Sequence, residues 1–529
     1  MQRFATLLDR LVLTPSRNGK LRLLEDYFRD APDPDRGYGL AAITNGLDLK
    51  AVKPALLRRL VYERMDNVLF DLSYDYVGDL AETISLIWPS GGAVDNDAGL
   101  GDIVHTLQSA SRSDAPKIIE NLLDSMLPAS RHALLKLATG GLRIGLSARL
   151  AKQALSNFGQ QNVSDIEELW HGLAPPYLDL FAWLEGRADR PAQASASPFR
   201  PVMLANAIQD RDLELLDPAD YVAEWKWDGI RVQVTSERGV RRLYSRSGDD
   251  ISAAFPDLLE HVDFDGALDG ELLVSVPGNH GIVVGSFSDL QQRLNRKAVS
   301  KKVTAEFPVF VRAYDILQDS GENMRGLPFL ERRKRLENLV SGLDAGRFDL
   351  SPLVPFSDWN ELESLRRNPP HPVIEGVMLK RKDSLYLPGR PKGPWFKWKQ
   401  DPKIIDAVLM YAQRGHGKRS SFYSDYTFGV WNQAGELVPV GKAYFGFTDD
   451  ELKKIDKYVR DNTIERFGPV RSVRAEPDKG LVFEVAFEGL NRSTRHKSGV
   501  AMRFPRISRL RWDKLPSEAD RLETLEAML

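Results

Sequence analysis

Residues 185–201 read EGRADRPAQASASPFRP, with Phe199 the sole large apolar side chain. A stretch so poor in apolar surface supports no core and has the composition of a linker. It also divides two textures. Upstream, APKIIENLLDSML (115–127) and RHALLKLA (131–138) repeat apolar residues at helical spacing. Downstream the texture changes to strands with hairpin turns. VAEWKWDGIRVQVTSERGVRRLYSRSG (222–248) reads as two strands joined around Arg238-Gly239. Short helical patterns follow at DLLEHV (257–262), SDLQQRLNRK (288–297) and LERRKRLENLV (330–340). Beyond Asp401-Pro402 strands resume in DAVLMYAQ, YTFGVWN and LVFEVAFEG. The spacing predicts a helical domain over 1–190, a linker over 191–200, an α+β domain over 201–400 and a small β-barrel over 401–529. An amphipathic helix from Ser517 is expected to close the barrel.

A chain of 529 residues has room for about three domains. Its net charge of -2 gives no overall positive field, so any nucleic-acid contact must rest on local basic clusters. Cysteine is absent, which removes disulfides, thiolate zinc sites and cysteine nucleophiles, and fits a reducing compartment. No apolar run reaches membrane-spanning length. The start, MQRFATLLDRLVL, carries Asp9 and Arg10 within its apolar pattern and reads as an amphipathic helix, not a secretory signal. The expected location is the cytoplasm.

The chemistry concentrates in the middle region. EWKWDGIR (224–231) sets Lys226 between two tryptophans. Strand alternation puts Val222, Glu224, Lys226 and Asp228 on one face, and Tyr221, Ala223, Trp225 and Trp227 on the other. The aromatic face reads as core, so the charged face must line water or a pocket. An isolated strand of this kind is ordinarily a solvated face with neighbouring ion pairs. Here the arrangement recurs. LDGELLV puts Asp269 and Glu271 at the head of an apolar strand, and IEGVMLK does the same with Glu375 and Lys380. WFKWK sets Lys397 and Lys399 on one face against Trp395, Phe396 and Trp398.

Solvation alone explains four such strands poorly. With Arg231 and Arg246 they make sense as a site for a phosphate group. Carboxylates at Glu271 and Glu375 can hold a hard divalent cation through oxygen. Lysines and arginines neutralise phosphate oxygens, and a remaining lysine can be the nucleophile. A free lysine has a pKa near ~10.4, so about one in a thousand is neutral at physiological pH. A lysine carrying a phosphoryl group is a high-energy phosphoramidate, readily passed to a second acceptor. No G-x-x-x-x-G-K-[ST], G-x-G-x-x-G or H-E-x-x-H occurs. DFDGALDGE (263–271) lacks EF-hand spacing.

In order along the chain, EWKWDGIR, SRSG (245–248), DGE (269–271), AYD (313–315), EGVMLK (375–380), WFKWK (395–399) and RFPRISRLRWDK (503–514) resemble the successive motifs of three-domain ATP-dependent DNA ligases, in the covalent nucleotidyltransferase superfamily. The resemblance spans nearly the whole chain and is strongest from about 200 to 514. It implies a multidomain fold: an all-α N-terminal DNA-binding domain, an α+β nucleotidyltransferase (adenylation) domain and a C-terminal β-barrel OB-fold domain. It also implies ATP and Mg2+ (or Mn2+) as cofactors. The implied substrate is nicked duplex DNA, its 5′-phosphate and 3′-hydroxyl joined through a lysine–AMP and an adenylated DNA intermediate.

By that resemblance Lys226 would attack the α-phosphate of ATP, and Glu224 would accept a hydrogen bond from the adenine amino group. Arg231 and Arg246 would contact sugar and phosphate, and Tyr314 would stack on adenine. Glu271 would reach the ribose or a metal, and Glu375 would hold a metal. Arg390, Lys397 and Lys399 would face phosphates. Arg503, Arg506 and Lys514 belong to the closing motif, in a segment (491–514) with eight Lys or Arg and one acid, Asp513. In the family this segment covers ATP during adenylation, then swings away so that the barrel clamps DNA. RGHGKRSS (414–421), with Lys418 and Arg419, and LATGGLRIGLSARL (137–150), with Gly141 and Arg143, would contact DNA backbone. The form resembles a bacterial type, often encoded beside a helicase and a nuclease. That implies a repair enzyme, monomeric and nucleoid-associated.

Other readings fit less well. RNA ligases and mRNA guanylyltransferases share the lysine chemistry but do not usually carry the helical domain that GGLRIG suggests. An NAD-dependent ligase would need its own N-terminal module and zinc-binding cysteines. An inactive binding scaffold would be expected to lose Lys226, Glu271, Glu375 or Lys399, and all are intact.

Overall fold

The computed structural model describes residues 1–529 apart from 48, 50, 51, 78, 90–96, 112, 140, 141, 143, 193–195, 277–282, 295–298, 415–421, 468, 469, 494 and 495. The chain divides into two compact units. One comprises Met1–Gly159, Pro175–Leu184 and Pro402–Leu529; the other comprises Gln160–Ala174 and Glu185–Asp401.

The N-terminal region is helical, from Gln2–Leu13 to Leu178–Leu184. Gln2–Leu13 buries Phe4, Leu7, Leu8 and Leu11, an apolar stripe at helical spacing. Ser16 starts the next helix, Arg17–Asp30, by accepting a hydrogen bond from the Gly19 amide. The run with the paired glycines joins the helices Pro128–Thr139 and Ala148–Gly159. No helix among the described residues is long and apolar enough to cross a membrane.

The second unit is built on twelve strands among the described residues: β1 (Asn206–Ala207), β2 (Tyr221–Trp227), β3 (Ile230–Glu237), β4 (Val240–Ser245), β5 (Gly266–Val276), β6 (Val283–Val284), β7 (Val309–Asp319), β8 (Glu322–Asn323), β9 (Phe348–Leu350), β10 (Leu353–Val354), β11 (Ile374–Arg381) and β12 (Trp395–Lys399). One sheet runs β1-β12-β11-β2-β10. The other runs β4-β3-β5-β7-β8, with β6 on β5 and β9 on β7. Residues 222–248 thus form three strands, not two. Asp228-Gly229 ends β2 and delivers the chain to the other sheet. A Cβ on Gly229 would lie 2.5 Å from the Leu272 carbonyl oxygen, so only glycine passes this close to β5.

Each sheet has its own core. Tyr221, Ala223, Val377, Leu379 and Phe396 pack with Leu362 on one, and Val232, Val234, Leu272, Val274, Val309 and Val311 pack together on the other. Met203, Ala267, Leu317, Tyr386 and Trp395 form a third cluster that draws on both sheets.

The stretch of linker composition is partly anchored. Ser197 Oγ donates to Thr235 Oγ1 at 2.7 Å, Arg200 Nη1 bonds Glu237 at 2.7 Å, and Phe199 is buried. The His171 ring, from the segment Gln160–Ala174, meets Phe199 edge-on at 5.0 Å and lies 5.6 Å from the Tyr244 ring. Gly248 (φ +88) leaves room for it, since a Cβ there would stand 2.6 Å from the imidazole.

The C-terminal strands are β13 (Lys403–Arg414), β14 (Tyr423–Trp431), β15 (Leu437–Ala443), β16 (Thr463–Phe467), β17 (Val470–Val473), β18 (Val482–Phe487), β19 (Gly489–Arg492), β20 (Val500–Arg503) and β21 (Arg506–Arg511). Their main sheet runs β15-β14-β13-β17-β16, with β18 bridging β13 and β21, while β19 and β20 pair apart. Tyr426, Phe428, Phe483 and Val485 centre the core. Among the described residues no ladder joins the two ends, so the pairing does not close the expected barrel. The terminal α-helix begins at Leu522, not Ser517. Pro516–Glu518 forms a 3-10 turn, and the Asp520 amide then donates to the Asp406 carbonyl at 2.9 Å, which keeps the chain extended until Leu522.

Candidate active site

The two sheets of the second unit bring together the polar faces read from the sequence. Lys226, near the end of β2, pairs with Glu375 Oε1, and Lys399 Nζ lies 3.0 Å from Glu375 Oε2. Lys226 therefore takes its partner from a neighbouring strand, not from Glu224 or Asp228 beside it. A bulge makes this possible. Ile374 faces Trp227 and Val377 faces Trp225, so Glu375 and Gly376 both stand opposite Lys226. Gly376 has φ +143, and a Cβ there would sit 2.2 Å from the Trp398 carbonyl oxygen. Glycine at 376 is what lets Glu375 turn toward the lysine.

Burial works against the Glu375 charge, but Lys226 and Lys399 outweigh it and hold the carboxyl below its usual range. Glu271 shows the opposite balance. Burial pushes its carboxyl up to about 8 against the pull of Lys226 and Arg231, and the Glu375 charge adds to the rise. Both oxygens sets suit Mg2+, which takes one or two carboxylates and completes its shell with phosphate oxygens and water. Among the described residues no cluster of three or more His, Asp or Glu forms a cage made by protein alone.

Lys397, on β12, is the meeting point of positive charge. Burial lowers its pKa, and the fields of Lys399, Arg390, Lys226 and Arg246 lower it further. Arg246 and Arg390 are themselves exposed. A cationic convergence of this size suits a polyanion.

The opposite wall is more tightly bonded than the sequence suggested. Asp269 and Glu271 lie inside β5, which starts at Gly266, not at the strand's head. Asp269 is fully buried and accepts from Arg231 Nε (3.0 Å) and Nη2 (2.5 Å), Tyr314 Oη (3.2 Å) and Tyr386 Oη (2.6 Å). Arg231 also donates to the Met203 carbonyl at 2.7 Å. Its guanidinium is thus fixed as part of the wall. Tyr314 occupies a second bulge: Ala313 faces Gly270 and Asp315 faces Asp269, so Tyr314 has no partner in that ladder.

Glu224 is buried, not water-facing. Lys380 Nζ stands 3.1 and 3.2 Å from its two oxygens, and Arg333 Nη1 lies at 3.6 Å. Burial lowers the Lys380 pKa against the pull of Glu224 and Asp315. Lys380, Asp269, Tyr386 and Gly376 thus belong to the site although sequence reasoning gave them no role. The signal available for Lys380 and Asp269 was their place beside Glu375 and Glu271 in charged strand patterns.

Arg503, Arg506 and Lys514 lie in the other unit. Lys514 Nζ is 2.6 Å from Asp406 Oδ2, which also pairs with Arg511 at 3.1 Å. Arg503 and Arg506 are half-buried. Gly141, Arg143, Lys418 and Arg419 fall outside the described residues.

The family model "ATP dependent DNA ligase domain" matches residues 202–399, and "ATP dependent DNA ligase C terminal region" matches 419–514. "Probable DNA ligase" of Koribacter versatilis is 29% identical over 99% of this chain and 96% of its own length. "DNA ligase" of Thermococcus fumicolans is 28% identical over 99% of this chain and 97% of its own. A solved structure named "Pmar-Lig_PreS3" covers 96% of this chain and 99% of its own, with a TM-score of 0.62 at 14% identity, a likeness of fold.

Proposed function

Because the chain belongs to the ATP-dependent DNA ligase family, we propose that it seals nicks in duplex DNA, joining 5′-phosphate to 3′-hydroxyl by way of AMP carried on Lys226 and then on the DNA. The observation that carries this reading is the lysine–carboxylate pair of Lys226 and Glu375 set among Lys397, Lys399, Arg390 and Arg246.

Lys226 Nζ, its contact with Glu375 opened and its proton lost, attacks the α-phosphorus of ATP. The P–N bond forms as the P–O bond to pyrophosphate breaks. An oxygen of the DNA 5′-phosphate then attacks the same phosphorus, and the P–N electron pair returns to Lys226. Finally the 3′-hydroxyl gives up its proton and attacks the DNA phosphorus, and AMP leaves. Glu224 accepts from the adenine amino group, and Tyr314 stacks on the base. Arg231, its plane set by Asp269, contacts the nucleotide as a rigid group. Lys397, Lys399, Arg390 and Arg246 neutralise phosphate oxygens. Mg2+ held by Glu271 and Glu375 would supply further positive charge at those oxygens.

Arg503, Arg506 and Lys514 orient the departing pyrophosphate, and Gly141, Arg143, Lys418 and Arg419 contact the DNA backbone. An OB-type fold for residues 401–529, its barrel left open by the pairing of the described strands, is part of the same reading, supported by β13 sharing its length between β17 and β18. So are repair work beside a helicase and a nuclease, and a monomer at the nucleoid in the cytoplasm, both supported by the likeness of the motif set to bacterial ligases.

Incubation with α-labelled ATP and then with nicked duplex tests the proposal. Label should pass to the protein and then to the 5′-phosphate. Lys226→Ala should form no protein–AMP yet still seal a pre-adenylated nick, and an adduct of normal yield in that variant refutes the assignment.

A further inference from the structure

We infer that Lys380 is a positioning residue for base selection, holding in place both Glu224 and the bulge that carries Tyr314. The inference rests on the reading of Glu224 and Tyr314 as the adenine contacts. The Lys380 side chain is 2% exposed, like that of Glu224, and its ammonium is bonded within the protein. Its ammonium has three donors and no acceptor. They meet two groups: the Glu224 carboxylate, at 3.1 and 3.2 Å, and the Tyr314 carbonyl oxygen, at 3.1 Å. The rings of Tyr314, Trp395 and Phe329 surround the ammonium, their centroids 4.6, 4.8 and 4.9 Å from Nζ.

Strand geometry explains why a lysine at 380 can do this. Glu224 faces Met378 across the β2–β11 ladder, and Lys380 faces Val222. Lys380 is therefore the diagonal neighbour of Glu224 on the same sheet face. The β5–β7 ladder skips Tyr314, and a buried carbonyl left out of a ladder needs a donor from elsewhere. Lys380 supplies it from the other sheet. One ammonium thus fixes two things. It sets the direction of a carboxylate that has lone pairs left for an N–H₂ donor, and the height of an aromatic ring. Such a carboxylate accepts from the 6-amino group of adenine and repels a 6-oxo group, which is itself an acceptor.

The test compares protein–AMP formation from ATP with the corresponding adduct formed from purine riboside triphosphate, which lacks the amino group. The unmodified protein should favour ATP. In Lys380→Met that preference should fall at least ten-fold, mainly through a higher KM for ATP, with a smaller change in maximal rate; thermal melting monitors the fold. Glu224→Ala is measured beside it. If Glu224→Ala removes the preference and Lys380→Met keeps it, the role of Lys380 is overturned while the adenine reading stands. If Glu224→Ala keeps the preference, the adenine reading fails and this inference with it. Should Lys380→Met not fold, Glu224→Gln with Lys380→Met removes the unpaired buried charge. Against Glu224→Gln alone, that double variant should bind both nucleotides more weakly, because the Tyr314 bulge has lost its donor. Equal KM values would overturn the inference.

Discussion

Glu271 holds its proton far above the usual carboxylate range, with a pKa pushed up to about 8 from a starting value of 4.5. Between those values the folded protein binds more protons at this site than the unfolded chain does. Stability therefore falls as pH rises from about 5 to about 8. Glu271→Gln keeps the shape and removes the titration. The nucleotide-free variant should be more stable than the parent at pH 8, by on the order of 1–3 kcal/mol. The gain should shrink toward pH 5. Denaturant unfolding at the two pH values measures it, and a gain that grows toward acid would mean that Glu271 is ionised in the fold. If Glu271 reaches the ribose or a metal as proposed, the same substitution should impair adenylation.

At the scale of the strand, two bulges set the places of Glu375 and Tyr314. Gly376 is the more exposed to test, because its φ of +143 and its 2.2 Å approach to a carbonyl both exclude a side chain. Gly376→Ala should straighten or break the bulge and displace Glu375. A shift of about 1 Å in such a group costs on the order of 100-fold in rate. The rate of protein–AMP formation should fall by that order and the melting temperature should drop; an unchanged rate would show that the bulge does not aim Glu375. Alternation of side chains was enough to put Glu224 and Lys226 on one face, and helical spacing was enough to find helices such as Gln2–Leu13. Neither periodicity registers a bulge, which inserts one residue without changing the pattern on either side. The partnership of Glu224 with Lys380 was hidden for another reason: it joins residues 156 apart, and only strand register brings them together. The third strand in 222–248 was hidden because Asp228-Gly229 interrupts neither charge nor apolar content. The stretch around Phe199 misled by its average composition, since one aromatic ring suffices to anchor it.

For the molecule as a whole, Lys226 and the basic segment that holds Arg503 and Arg506 belong to different compact units. If Arg503 and Arg506 serve only the departing pyrophosphate, replacing both with alanine should slow protein–AMP formation by orders of magnitude. Sealing of pre-adenylated nicks should fall much less. Measured on one preparation, an equal fall in both rates together with a collapse in DNA affinity would make these arginines DNA clamps instead. The chain passes between the units at 159/160, 174/175, 184/185 and 401/402. The short excursion at 160–174 seats His171 against Phe199 and above Gly248, at the foot of the loop that carries Arg246. This bears on how the gene can be divided. A recombinant catalytic fragment started after Leu184 would lose that excursion and bare the Phe199 and Tyr244 rings to solvent. Modular exchange between relatives is better cut at Gly159, with the excursion kept alongside the half of the protein it shelters.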